Sequence, residues 1–355
     1  MTTSEERRWP DALLSVQDAL IWIQAALPPH HTAQGPTALL NVKAWGVVAR
    51  FHVLAPEPYD VVFKVGALPL FRSAPRAFEL AHLARPHHTP ELLASRQDGE
   101  QTWTLFRAFE GHVVRDAEGT GAVVEMAREL ARVQAAVLTL PESARLGLPH
   151  FPLTSIPTQF DQLLTLTRER YLPIFEERRQ DFRSTFNLDL PPNLAERLEV
   201  HRGRVQTWTD ELAAMNWPES LDHVDLHHEN GVVQPDGSVL LLDWEEAQLA
   251  LPFFSLDRLL EDAREYDERA GIPQAVTGID GTPTVLAVRA AYLDTLPWRT
   301  WEERATGLDL ALQLAPIKAL AEGEAFNDAL GRERGNPVQA AFLLLRALRR
   351  WEASC

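Results

Sequence analysis

The stretch 221–246, LDHVDLHHENGVVQPDGSVLLLDWEE, concentrates the residues able to do chemistry. Val232 and Val233 begin an extended segment, Pro235-Asp236-Gly237 supplies turn chemistry, and Val239 to Leu242 is an apolar run of strand length. A hairpin of that kind returns Asp243 to the side of Asn230, with Asp225 on the loop that leads in. Two carboxylates and an amide at one end of a hairpin are what phosphoryl transfer needs. One carboxylate orients and deprotonates an attacking hydroxyl, while an amide oxygen and the second carboxylate hold Mg2+ against nucleotide phosphates. Taken singly, each residue reads as well as a cap or a turn. His223, His227 and His228 invite zinc, but neither clustered cysteines nor an H-E-x-x-H helix accompanies them.

The spacing His223-x-Asp225-x-x-x-x-Asn230, followed by Asp243-Trp244, resembles the aminoglycoside phosphotransferase and choline kinase-like family. These are small-molecule relatives of the protein kinases, which carry a related catalytic loop and a D-F-G at the metal-binding strand end. By that resemblance Asp225 is the catalytic base, Asn230 and Asp243 are the magnesium ligands, and His223 braces the loop backbone. The implied fold is α+β, two-lobed and protein-kinase-like. An antiparallel sheet with a helix forms the N-lobe, the C-lobe is mostly helical, and ATP or GTP lies between them. Two departures stand out. Val224 occupies the family's usual glycine position, and Ser255 the position of an aspartate that supports the loop, with Asp257 two residues late. Glu245 resembles the second acid of a choline kinase D-F-E and is a candidate to aid a second metal.

Such a set must be met by a sheet carrying phosphate-binding groups. Val47, Val48, Phe51 and Val53 predict one strand and Tyr59 to Val65 another, with Pro56 and Pro58 in the turn. Val61, Phe63 and Val65 share one face of the second strand; Val62 and Lys64 share the other. A lysine in so apolar a strand needs a partner or a wet cleft, unless it snorkels from an edge. The resemblance makes Lys64 the phosphate-binding lysine and Glu79, the one acid of the helical segment 75–85, its partner. Gly46 falls where the family's phosphate loop lies, although a lone glycine is equally an ordinary turn residue. Strands over 92–95 and 102–109 follow, joined through Asp98-Gly99. The resemblance aligns the second with the run into the hinge, so that the Arg107 C=O and the Phe109 N–H meet the adenine edge. A plain strand running into a linker fits the same residues.

Helical spacing predicts an opening helix over 11–27, stopped by Pro28-Pro29. Further helices are predicted over 118–140, 156–186, 194–215, 254–270, 284–296, 301–321 and 338–351. The organisation read from this is an N-lobe over 1–108 and a C-lobe over 109–355. A chain of 355 residues is long enough for two lobes with separate cores. Asp257, Glu261, Asp262, Glu265, Asp267 and Glu268 form an acidic run that reads as a solvated helix face or as a receptor for an amine-bearing acceptor. Trp298, Trp301 and Trp351 read as core, or as stacking surfaces for a sugar or quaternary amine.

A formal net charge of -16 argues against non-specific nucleic-acid binding and is compatible with a cationic small-molecule acceptor. No apolar run is long enough to span a bilayer, and the first residues lack a basic-then-apolar leader pattern. The single cysteine, Cys355, allows no internal disulfide. A cytoplasmic protein is expected. The functional reading is a phosphotransferase that moves the γ-phosphate of ATP or GTP to a small-molecule hydroxyl with Mg2+. The sparse phosphate loop, Val224 and Ser255 keep open a catalytically weak nucleotide- or ligand-binding protein on the same scaffold. A kinase of protein-bound groups is a third reading, for which no peptide-docking segment is evident.

Overall fold

The structure is a computed structural model and describes residues 14–116, 119–272 and 281–353. The expected start of the first helix at Asp11 and the lone Cys355 lie outside these. Helix α1 (Val16–Ala26) is capped by the Ser15 hydroxyl, which accepts from the Asp18 N–H at 3.0 Å. Five antiparallel strands follow: β1 (Thr32–Lys43), β2 (Gly46–Leu54), β3 (Tyr59–Gly66), β4 (Leu92–Asp98) and β5 (Gln101–Arg107). Their spatial order is β1-β2-β3-β5-β4. Helix α2 (Ala74–Ala84) links β3 to β4. Strand β1 precedes the first strand expected from the sequence. Its register slips between Gln34 and Ala38, around Pro36, which has no N–H to give to a ladder.

The alternation on β3 divides the interior. Val61, Phe63 and Val65 pack with Trp103, Leu105 and the α1 residues Ala19 and Ile23. Val62 and Phe106 face the other way, into a core shared with α2 and the helices that follow. The two cores therefore meet across the sheet, and the larger one runs from its inner face into the helical part.

That part contains α3 (Gly121–Thr139), α4 (Ile156–Leu166), α5 (Leu172–Glu177), α6 (Arg179–Phe186), α7 (Leu194–Glu199) and α8 (Arg202–Ala214). The expected helix over 156–186 is interrupted by a π-helical turn at Thr167–Tyr171 and again at Arg178, whose φ of -111° and ψ of 22° leave the helical region. After α8 come α9 (Leu256–Arg269), α10 (Pro283–Thr295), α11 (Trp301–Ala329) and α12 (Pro337–Ala353). Helix α11 continues past the expected end at 321 despite Pro316 in its interior. Proline lacks the N–H that would bond the Leu312 carbonyl. Arg350 of α12 donates to that carbonyl at 2.8 Å, and Trp351 Nε1 donates to the Gln313 carbonyl at 2.8 Å. Trp351 is thus a core residue, while Trp301 is exposed and Trp298 packs partly against the core. Two small sheets complete the fold. β6 (His112–Val113), β8 (Gly231–Val233) and β9 (Val239–Leu241) form one; β7 (Ser220–Asp222) and β10 (Gln248–Ala250) form the other. No helix among the described residues is long and apolar enough to cross a membrane.

Phe63 has no exposed surface and meets Trp22, Phe51 and Trp103 edge-on or tilted. Replacing it with alanine should cost about 3–5 kcal/mol, read as a lower denaturant midpoint with an unchanged slope.

Candidate active site

The hairpin forms as its turn residues dictate. Gln234 and Ser238 close it through a 2.8 Å backbone bond, and Asp236 Oδ1 accepts from the Ser238 N–H at 2.9 Å. The Leu242 N–H donates to the Asn230 carbonyl at 2.8 Å, which brings the β9 exit back to Asn230. Asp243 follows at once in a left-handed conformation, with φ 61°. Asn230 Nδ2 donates to the Asp225 carbonyl at 2.9 Å, so the amide pins the loop and keeps its oxygen available. His223 is buried, its ring bonded through Nε2 to the Leu242 carbonyl at 2.6 Å. Burial holds its pKa down, so the ring stays neutral and donates that bond. Val224 has φ 68°, a left-handed conformation that costs a β-branched residue roughly 1–3 kcal/mol.

Support for this loop comes from behind it. Ser255 Oγ accepts from the His223 N–H at 2.9 Å and donates to Asp222 Oδ1 at 2.6 Å. Asp222 is fully buried, and its other oxygen lies 2.6 Å from Lys318 Nζ on α11, itself 3% exposed. Burial pushes the Asp222 carboxyl up, but Lys318 and the bonds from Ser255 and Gln248 outweigh it and hold the group below its ordinary range. The carboxylate expected at position 255 is therefore supplied from 222 and relayed by a serine. Sequence reasoning missed both Asp222 and Lys318. The available signals were an acid closing a short buried strand and a lysine inside the apolar helix LALQLAPIKALAE.

The acidic run of α9 is largely consumed within the chain. Asp257 pairs with Arg346 and Arg350 at 2.6 and 2.7 Å, and Glu261 with Arg264 and Arg350. Asp262 accepts from the His228 N–H, and Asp267 from Thr284. Glu265 and Glu268 pair with Arg269 and Arg264 on the exposed side.

Lys64 does not meet Glu79. It pairs with Asp243 and, at 2.7 Å, with Glu245, while Glu79 pairs with Arg76 at 3.1 Å. The reason lies in the rotation of α2, which buries Ala77, Phe78, Leu80 and Ala81 and turns Glu79 outward. Burial lowers the Lys64 pKa, but Asp243 and Glu245 outweigh it and drive it up. Glu245 is pushed up to about 7, first by burial and then by Asp243, against the pull of Lys64. Gly46 stands opposite Gly66, and a Cβ there would lie 2.7 Å from the Val65 carbonyl oxygen, so the close approach of β2 and β3 requires glycine. Beside it Trp45 packs edge-on against Phe326 of α11, with centroids 5.5 Å apart. Arg107, its guanidinium over Tyr59, and Phe109 line a cavity of about 690 Å³ with His88 and Leu240.

Asp225 opens onto another cavity, of about 400 Å³, together with Glu246, Arg258 and the α11 residues Lys318, Glu322 and Phe326. Its side chain is 56% exposed and lies 3.5 Å from His227 Nε2. Burial raises its pKa; His227 and Arg258 outweigh that and leave the carboxyl below its ordinary range. Asn230 and Asp243 offer an amide oxygen and a carboxylate, hard donors that fit Mg2+. No group of three or more His, Cys, Asp or Glu side chains suited to a metal occurs among the described residues.

A family model described as "Phosphotransferase enzyme family" matches residues 45–292. No curated protein sequence matches the chain. Among solved structures, the chain resembles a choline kinase from Cryptosporidium parvum Iowa II, at TM-score 0.58 and 10% identity over 95% of this chain and 96% of the other. It also resembles a Plasmodium vivax ethanolamine kinase, at TM-score 0.56 and 11% identity over 93% and 86%. A macrolide 2'-phosphotransferase from Brachybacterium faecium gives TM-score 0.51 and 19% identity over 90% and 98%. These likenesses show the fold expected from the sequence, the two-lobed α+β arrangement of kinase-like phosphotransferases.

Two outcomes follow from the geometry. Lys318→Met leaves Asp222 buried without its cation and should destabilise by about 3–5 kcal/mol, whereas Asp222→Leu combined with Lys318→Met should recover much of that loss; urea denaturation reads both. Glu322, beside Lys318, is pushed up to about 7 from 4.5, chiefly by burial. It keeps a proton in the folded protein that the unfolded chain releases, so its contribution to stability is lost as pH rises from about 4.5 to 7. Glu322→Gln should flatten that part of the decline when urea midpoints are compared across the window.

Proposed function

The chain belongs to the phosphotransferase enzyme family, and on that premise we propose that it transfers the γ-phosphoryl group of ATP or GTP to a hydroxyl of a small molecule. The observation that carries the proposal is Asp225, a carboxylate on a braced loop, open to a cavity of about 400 Å³. In this reading the acceptor hydroxyl binds there and gives its proton to Asp225. Its oxygen forms a bond to the γ-phosphorus as the bond to the β–γ bridging oxygen breaks, leaving a phosphate monoester and ADP or GDP. Lys64 exchanges Asp243 and Glu245 for the nucleotide phosphates. Asn230 and Asp243 are the residues that would hold Mg2+, which when bound offsets phosphate charge. Gly46, Arg107 and Phe109 are assigned to the nucleotide side, with the backbone of the last two toward the base. Glu79 enters only if α2 turns.

A second reading, a catalytically weak nucleotide- or ligand-binding protein, is favoured by one feature. Lys64 already occupies Asp243 and Glu245, so binding must first break a partly buried ion-pair cluster.

Thermal unfolding with ATP and GTP, each with and without Mg2+, tests the site. A nucleotide at a hundred times its Kd should stabilise by about 2.7 kcal/mol, and more tightly with the metal. Asp225→Ala should then lower kcat by roughly 10²–10⁴-fold with nucleotide binding intact. Full turnover in that variant removes Asp225 from the mechanism, and no stabilisation by either nucleotide leaves the ligand-binding reading.

A further inference from the structure

The cavity beside Asp225 carries charge of both signs, and most of it is already spent. Lys318 is shared between Asp222 and Glu322, and Asp257 is neutralised by Arg346 and Arg350. What the lining leaves for a ligand is Glu246, Arg258 and Arg332. Arg258 is exposed, with no hydrogen bond or ion pair to any described residue, and is close enough to Asp225 to help keep that carboxyl ionised. Arg332 touches only neutral groups, the Asn327 amide oxygen at 3.4 Å and the face of Trp45 at 5.9 Å. Glu246 has no partner among the described residues. A polycation or quaternary amine entering here would meet the guanidinium groups of Arg258 and Arg332, neither of which is held in an ion pair with a described residue.

Resting on the phosphotransferase reading, we infer that the acceptor is an alcohol bearing an anionic group, carboxylate or phosphate, whose charge is met by Arg258 and Arg332 while its hydroxyl faces Asp225. Guanidinium suits this task, since its planar fork matches both oxyanions and cannot lose its charge. The net charge of -16 belongs to the chain as a whole and is no obstacle, because Arg258 and Arg332 line the cavity itself.

The test measures nucleoside diphosphate release and calorimetric binding across four acceptor groups. Glycerate and gluconate represent carboxylates, glycerol 3-phosphate and glucose 6-phosphate represent phosphates, choline and kanamycin represent cations, and glycerol and glucose are neutral. Binding and turnover are expected in the carboxylate or the phosphate group, and the group that responds identifies the oxyanion. Arg258→Gln and Arg332→Gln should each raise KM for that acceptor at least about tenfold, with KM for the nucleotide within about twofold of the parent. Turnover confined to cationic or neutral acceptors overturns the inference and leaves phosphotransfer standing. So does a rise in nucleotide KM with acceptor KM unchanged in both variants, and so does nucleotide binding with no acceptor bound in any group. Failure to bind any nucleotide removes the phosphotransferase reading and this inference with it.

Discussion

Asp222 sits behind the loop that carries Asp225, cut off from water and neutralised by a lysine that is itself buried. An isolated carboxylate at such a depth would take up a proton or unfold its surroundings. With Lys318 in place it stays charged, and through Ser255 it fixes the His223 backbone. The same network bears on Val224. A valine in a left-handed conformation persists only when its neighbours leave it no alternative. Here the Ser255 bond on one side and the Asn230 bond to the Asp225 carbonyl on the other hold the backbone in that conformation. The carboxylate behind the loop is thus Asp222, and Ser255 links it to the loop backbone.

The cleft shows a complementary imbalance. Lys64 is one cation against Asp243 and Glu245, with Asp225 nearby, and Glu245 responds by holding its proton up to about pH 7. Such a site is short of positive charge. It suits a ligand that arrives with its own cation, since phosphates alone would add to the deficit. The pairing of Lys64 with the strand-end acids also joins the sheet to the hairpin without help from α2.

The sequence makes the hairpin legible because the turn at 235–237 and the branched strand after it are local choices. Strand β3 is legible for a similar reason, its alternation separating the face toward α1 from the face carrying Lys64. The partner of Lys64 is not legible in this way, because it depends on how α2 rotates under Phe78 and Leu80, and no local pattern sets that angle. Ser255 looks like a loss until Asp222 is placed beside it, and 33 positions separate the two. The true length of α11 is hidden by Pro316, whose cost is met by side chains from α12. Each of these features is tertiary. The pattern of spacings locates the candidate catalytic residues but is silent on what holds them.

Helix α11 places Lys318, Glu322 and Phe326 four residues apart, one stripe advancing roughly 6 Å per step. The first steadies the candidate catalytic loop, the second lines the cavity, and the third receives Trp45 from the tip between β1 and β2. One rigid rod thus serves three tasks, and a substitution on it that widened the cavity would also disturb the loop and the sheet tip. Room for divergence lies in the lining that does not come from α11, with Asn336 ahead of α12 and Gln339 and Phe342 on it. Lineages that change acceptor while keeping the same chemistry would accumulate their differences there and keep the α11 stripe.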